Sequence, residues 1–149
     1  MPKPDPEKTL AGFIKKFAPP NQRLLRGIRT RLRARLPGAN ELVYDNYNFL
    51  VIAYCPTEKT SDSWFSIGAD KHGANLFFGY TGSKLADPKK LLQGSGAKNR
   101  FLRLASAEHI DHPDVRALVD ASIAVSKPMG DAPGRLLIRM VSPKQRPRR

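Results

Sequence analysis

Leu10, Phe13, Ile14 and Phe17 recur three and four residues apart, and this single apolar stripe predicts a short helix over 7–17. Pro19-Pro20 is expected to end it, because proline lacks an N–H and restricts the residue before it. A second stripe, Leu24, Leu25, Ile28, Leu32 and Leu36, predicts a helix over 21–36 with Asn21 as its N-cap and Pro37-Gly38 as its stop. From Glu41 the period changes. Leu42-Val43-Tyr44 and the continuous run Phe49 to Tyr54 are β-rich, and the polar residues between them, from Asp45, suggest a turn or bulge. Trp64 to Gly68 and Ala74 to Tyr80 read as a hairpin across Asp70-Lys71-His72-Gly73.

Asp87-Pro88 opens a predicted helical turn ending at Leu92, a glycine loop follows, and Phe101 to Leu104 carries a further strand. His112-Pro113-Asp114 starts a last helix to about Lys127, with Val115, Leu118, Val119, Ser122 and Val125 as its buried face. Consecutive strands joined by short loops, with helices before and after, predict one α+β domain over 1–134. Its expected architecture is an antiparallel sheet of four to five strands with helices packed on one face. Residues 135–141 form a possible extra strand, and 142–149, SPKQRPRR, are expected to be a disordered basic tail. Residues 2–6 read as a proline-punctuated lead-in.

Charge changes the picture. The chain of 149 residues carries a net +13, with ten Lys/Arg against two acids in 1–36 and six against none in 135–149. The centre is nearly neutral. Such asymmetry points to nucleic acid or another anionic partner, or to solubility alone. On the second helix Arg23, Arg26 and Arg33 point away from the stripe, with Arg29, Arg31 and Arg35 along its margins. That face suits a phosphate backbone, or serves as a solvated surface whose stems cover apolar area. Cys55 is the one cysteine, which excludes an internal disulfide, and no apolar run is long enough for a membrane span. MPKPDPEK lacks a signal-peptide core, so a cytoplasmic location is the expectation.

The candidate chemistry centres on Leu91 to Leu104, LLQGSGAKNRFLRL. Lys84, Lys89, Lys90, Lys98 and Arg100 surround Gly94, Ser95 and Gly96, and glycine lets backbone N–H groups approach an anion. The spacing completes no phosphate-loop motif. A second cluster, Tyr44, Asp45, Asn46 and Tyr47, is polar and aromatic beside a core strand, and suits either a pocket or a hydrogen-bonded bulge. His109, Asp111, His112 and Asp114 are read as the start of a helix and not as a metal site. Cys55 and Ser95 lack the context of a nucleophile, and no cofactor is expected.

Pro37-Gly38-Ala39, Glu41 to Tyr47, Ala74 to Phe78, Leu91 to Gly96 and Arg100 to Leu104 occur in this order, and on them the chain resembles the YdhG-like bacterial domains of unknown function. The likeness spans about 20–127. It implies helices on one side of an antiparallel sheet, and for some members a frataxin-like iron-chaperone role. Frataxins carry an acidic helix edge for iron, whereas the first helices here carry Asp5 and Glu7 against ten basic residues. The family implies no set of catalytic residues. The reading is therefore a non-catalytic module for an anionic partner, a phosphate-bearing ligand or nucleic acid bound without sequence selectivity, with no membrane role. An iron chaperone, or an enzyme with a pocket near Asp45 and Tyr47, is the alternative. The sequence leaves the oligomeric state open.

Overall fold

The computed structural model describes residues 4–149. Residues 1–3, the start of the expected lead-in, lie outside them. The elements run α1 (Pro6–Ile14), α2 (Pro19–Arg35), β1 (Asn40–Asp45), β2 (Leu50–Cys55), β3 (Phe65–Asp70), β4 (Gly73–Phe78), β5 (Arg100–Leu104), α3 (Pro113–Ala124) and β6 (Leu136–Val141). Short 3-10 turns lie at Thr60–Asp62, Gly82–Lys84 and Glu108–Asp111.

Pro19 and Pro20 open α2 where the sequence pattern has them closing α1. Proline fits the first helical positions, where an N–H would have no partner. α1 ends by itself after Ile14, and Asp5 caps its start by accepting from Glu7 N–H. Asn21 is not the N-cap of α2. That position is Ala18, and the Asn21 side chain donates to Lys71 O. No helix forms over 87–92. The Asp87 carboxylate instead accepts from Leu91 and Leu92 N–H and holds the segment as a turn.

The sheet has six strands in the order β5-β4-β3-β2-β1-β6. Five are antiparallel neighbours, β1 to β4 in sequence order and β5 returning to β4 after the long connection 79–99. β6 pairs with β1 in parallel, with a register shift that leaves Arg139 as the extra residue. An antiparallel sheet of four to five strands is thus corrected to a mixed sheet of six. The non-local partner of β1 leaves no trace in local periodicity. The α+β class holds.

Alternation divides the sheet cleanly. Val43, Leu50, Ile52, Tyr54, Phe65, Ile67, Ala69, Ala74, Leu76, Phe78, Leu102 and Leu104 face the helices in one apolar cluster with Leu10, Phe17, Ile28, Leu32, Val115 and Val119. Leu42, Ala53 and Cys55 form a separate small cluster on the opposite face, with Tyr44 and Leu137 against it. Trp64 is fully buried and donates from Nε1 to Lys127 O at 2.7 Å, tying the end of α3 to the sheet. No helix among the described residues is long and apolar enough to cross a membrane.

The segment after β6 docks, contrary to the disordered tail expected from its composition. Ser142 N–H donates to Asp45 O and Arg146 N–H to Tyr47 O, each at 2.8 Å. Gln145 Nε2 donates to Asp45 O, and Arg149 reaches the carbonyls of Lys15, Lys16 and Phe17. Arg148 is 4% exposed and lies over the Phe17 ring. A buried acid, Asp45, holds it there, and no window of local composition contains that partner.

Candidate functional site

The face away from the helices carries a cross-strand row: Leu42, Ala53, Ser66, Phe77 and Phe101 stand opposite one another through β1 to β5. The next row is Tyr44, Val51, Gly68, Asn75 and Arg103. Gly68 leaves a gap that Phe77 fills. A Cβ at Gly68 would lie 2.7 Å from Phe77 Cε2, so the ring lies down over the glycine. The Phe49 ring meets Phe77 edge-on at 6.1 Å, and Phe101 meets it tilted at 5.7 Å. Ser66, Asn75, Phe77 and Phe101 are half-buried, and Arg103 is exposed. Three contiguous aromatic rings therefore cross a sheet face that the helices do not cover.

At the Phe49 end the row runs into a cavity of about 490 Å³ lined by Tyr47, Asn48, Phe49, Asp70, Lys71, His72, Arg146 and Pro147. Three segments make it. The β1–β2 turn is closed by Asn46 N–H to Phe49 O. The β3–β4 turn is set by Asp70 Oδ1 accepting from His72 N–H, and by Gly73 at φ 131°, where a side chain would be strained. The docked tail brings the Arg146 guanidinium over the Tyr47 ring at 5.6 Å. Asn21 and Arg103 anchor the carbonyls of Lys71 and His72. Among the described residues, Lys71, His72 and Arg146 have no carboxylate within ion-pair distance.

The predicted glycine-loop cations are not drawn into one concavity. Lys89 Nζ pairs with Asp114 at 3.0 Å, and Arg100 Nη1 donates to the Gly96 and Asn99 carbonyls. Lys84 ends a 3-10 turn, and Lys90 sits in a left-handed turn at φ 54°. Gly94 takes φ 105° beside the Phe101 ring, and Gln93 pairs with Phe101 on the outer edge of β5. Gly94, Ser95, Gly96 and Lys98 are all exposed. The loop is thus a basic rim at the far end of the aromatic row.

Strand alternation separates the Tyr44–Tyr47 cluster. Tyr44 and Asn46 line a groove of about 270 Å³ with Val51, Ser66 and Tyr80, and the Tyr44 hydroxyl meets that of Thr60. Tyr47 lines the end cavity. Asp45 turns to the helix side and is fully buried, 2.8 Å from Lys16 Nζ and 3.0 Å from Arg148 Nη2. Burial pushes its pKa up, but hydrogen bonds from Lys16, Gln145 and Arg148 outweigh that and hold it below the usual carboxylate value. A carboxylate neutralised in this way is a structural ion pair, not a free base.

The arginine helix turns out to be largely paired. Arg29 grips Glu41 through Nε and Nη2 and Glu7 through both Nη atoms, each at 2.9 Å. Burial alone lowers the Arg29 pKa, yet its bonds to Glu7 and Glu41 raise it above the ordinary value. Glu41 also accepts from the Tyr54 hydroxyl, whose pKa is raised by burial and then by that carboxylate. Arg31 and Arg35 pair with Asp111. These charges are committed inside the fold and leave Arg23 and Arg26 as the free basic positions of α2.

His109 Nδ1 accepts from Ala105 N–H and His112 Nδ1 from Asp114 N–H, so both imidazoles cap backbone. Among the described residues no three His, Cys, Asp or Glu side chains come together as metal ligands. Cys55 is buried with its thiol on Lys59 O.

Sequence reading missed Phe49, Phe77 and Phe101 as a surface. The signal was present in Asn75-Leu76-Phe77-Phe78, where alternation assigns Phe77 to the face opposite Leu76 and Phe78. It also missed Lys71 and Arg146, which meet only through the tail. Compared with protein-family models, curated proteins and solved structures, the chain matches none.

Proposed function

We propose that the protein is a non-catalytic module that binds single-stranded nucleic acid across its open sheet face, without sequence selectivity. One observation carries this reading: the Phe77 ring laid over Gly68 between Phe49 and Phe101, on the face the helices leave free. Unpaired bases stack on such rings whatever their identity, because every base has a π-face. Phosphates then meet the cations at the two ends of the row. Lys98 and Arg100 sit on the glycine-loop rim, Arg103 on the face, and Lys71 and Arg146 at the cavity. Lys84, Lys89, Lys90 and the Gly94-Ser95-Gly96 loop extend the rim as weaker, solvent-screened contacts. Membership of the YdhG-like family, on the segments quoted above, belongs to the same proposal.

The test is fluorescence anisotropy on two unrelated single-stranded oligonucleotides and one duplex, titrated with salt. Both single strands are expected to bind alike, with log-log salt slopes of about 0.7 for each phosphate neutralised. Phe77→Ala is expected to weaken both by the ~1–3 kcal/mol that one stacked base contributes. Lys98→Ala with Arg100→Ala is expected to flatten the slope. Equal binding of the duplex, untouched by Phe77→Ala, removes this reading, as does the absence of binding at low salt.

A further inference from the structure

Where the aromatic row ends, the chemistry of its surroundings changes. The two rows on the face carry the aromatic rings, a few neutral polar side chains and one cation, Arg103. The cavity at its Phe49 end gathers Lys71, His72 and Arg146 around Tyr47 and Phe49, with Asp70 as the one acid in its wall. Asp70 Oδ1 is already engaged by His72 N–H. Lys71 and Arg146 belong to segments far apart in sequence, joined only because the tail lies along the β1–β2 turn. Arg29, Arg31, Arg35, Lys89 and Arg148 meet acids inside the fold, whereas among the described residues Lys71, His72 and Arg146 do not. Three basic side chains without a carboxylate partner, gathered around one concavity, suit an anion.

An internal phosphodiester carries one negative charge. A terminal phosphomonoester carries about −1.5 to −2 at neutral pH and three acceptor oxygens, which suits several donors converging from different directions. Arg146 and Pro147 of the tail form part of the cavity wall, beside Tyr47 and Phe49. Tyr47, half exposed beneath the Arg146 guanidinium, offers a ring for the last base.

We propose that this cavity binds the phosphorylated end of the strand, with Lys71, His72 and Arg146 as the phosphate contacts and Tyr47 and Phe49 as the base contacts. The inference rests on the sheet-face reading for the path of the strand. The cavity's own ligand is a terminal nucleotide monophosphate, which exists free as well as at a strand end.

The experiment compares one twelve-nucleotide single strand with a 5′-phosphate, a 3′-phosphate or neither, and adds calorimetric titration with adenosine monophosphate. One phosphorylated form is expected to bind about tenfold more tightly than the unphosphorylated strand. The monophosphate is expected to bind weakly and to compete with that form. Lys71→Ala with Arg146→Gln is expected to erase the tenfold preference and the monophosphate binding, and to weaken the unphosphorylated strand as well, through its lost phosphate contacts at the cavity, so that all three strands bind alike. Phe77→Ala is expected to weaken all three strands equally and to leave the monophosphate unchanged. Three equal strand affinities with no monophosphate binding overturn the end-binding inference and leave the sheet-face reading standing. Monophosphate binding lost in the double variant, with no strand bound, overturns the sheet-face reading and retains the cavity. A phosphate preference that survives the double variant assigns the end to another site and overturns the inference.

Discussion

Arg148 Nη2 lies 3.0 Å from Asp45 Oδ1, and both side chains are almost wholly withdrawn from solvent, at 2% and 1% exposure. The pair joins residues 103 positions apart. The Nε and Nη1 atoms of Arg148 are buried without a partner, so the guanidinium is held by its acid, the Asn46 carbonyl and the Phe17 ring. It anchors a segment that composition alone would leave loose.

Arg148→Ala is expected to lower the unfolding free energy by about 3 kcal/mol, the usual consequence of removing one partner of a buried ion pair. Lys16 remains against Asp45 and limits the loss. Chemical denaturation of the variant and the wild type measures it. A change within about 0.5 kcal/mol, the range of ordinary surface substitutions, shows that the tail contributes nothing to the fold.

Acid is expected to undo this anchor. Asp45 is held below its usual value near 3.8 in the folded protein, so the unfolded chain takes up the proton first. Its stabilising contribution is complete above the unfolded value and is lost as pH falls through the lower folded value. Asp45→Asn is therefore expected to be less stable than wild type at pH 6, with the gap narrowing below about pH 4. Urea midpoints from pH 6 to pH 3 test the sign. A gap that widens on acidification contradicts the ion-pair assignment.

Gly68→Ala separates surface from core. The added Cβ would lie 2.7 Å from Phe77 Cε2 and 3.2 Å from Cδ2, so the half-buried ring must shift off the glycine. The melting temperature is expected to move by a few degrees at most, while affinity for single strands falls as in Phe77→Ala. Unchanged affinity would falsify the role given to the ring lying over Gly68.

The elements that the sequence made legible are those whose cause is local. The stripes of α1, α2 and α3 and the hairpin across Asp70 to Gly73 follow from spacings within a dozen residues. Pro19-Pro20 misled because proline terminates one helix and begins another with equal ease, and only tertiary packing decides. The parallel pairing of β6 with β1 and the capture of Arg148 are contacts across most of the chain. Of the site, the basic glycine-loop rim was legible from composition. The cavity was not, because Lys71 and Arg146 become neighbours only after the tail has docked.

The β1–β6 pairing also bears on the order of folding. Arg135 N–H bonds to Asn40, 95 positions earlier, and Lys16 to Gln145, 129 positions away. Closing loops of that length carries a high entropic barrier, whereas the β1 to β4 hairpins need only short turns. The antiparallel meander is thus free to form first, with the outer edge of β1 bare until β6 arrives. That interval exposes backbone donors and acceptors between Glu41 and Asp45 to any other extended chain. Self-association during refolding is accordingly expected to rise with protein concentration and to fade once the Arg148–Asp45 contact has closed.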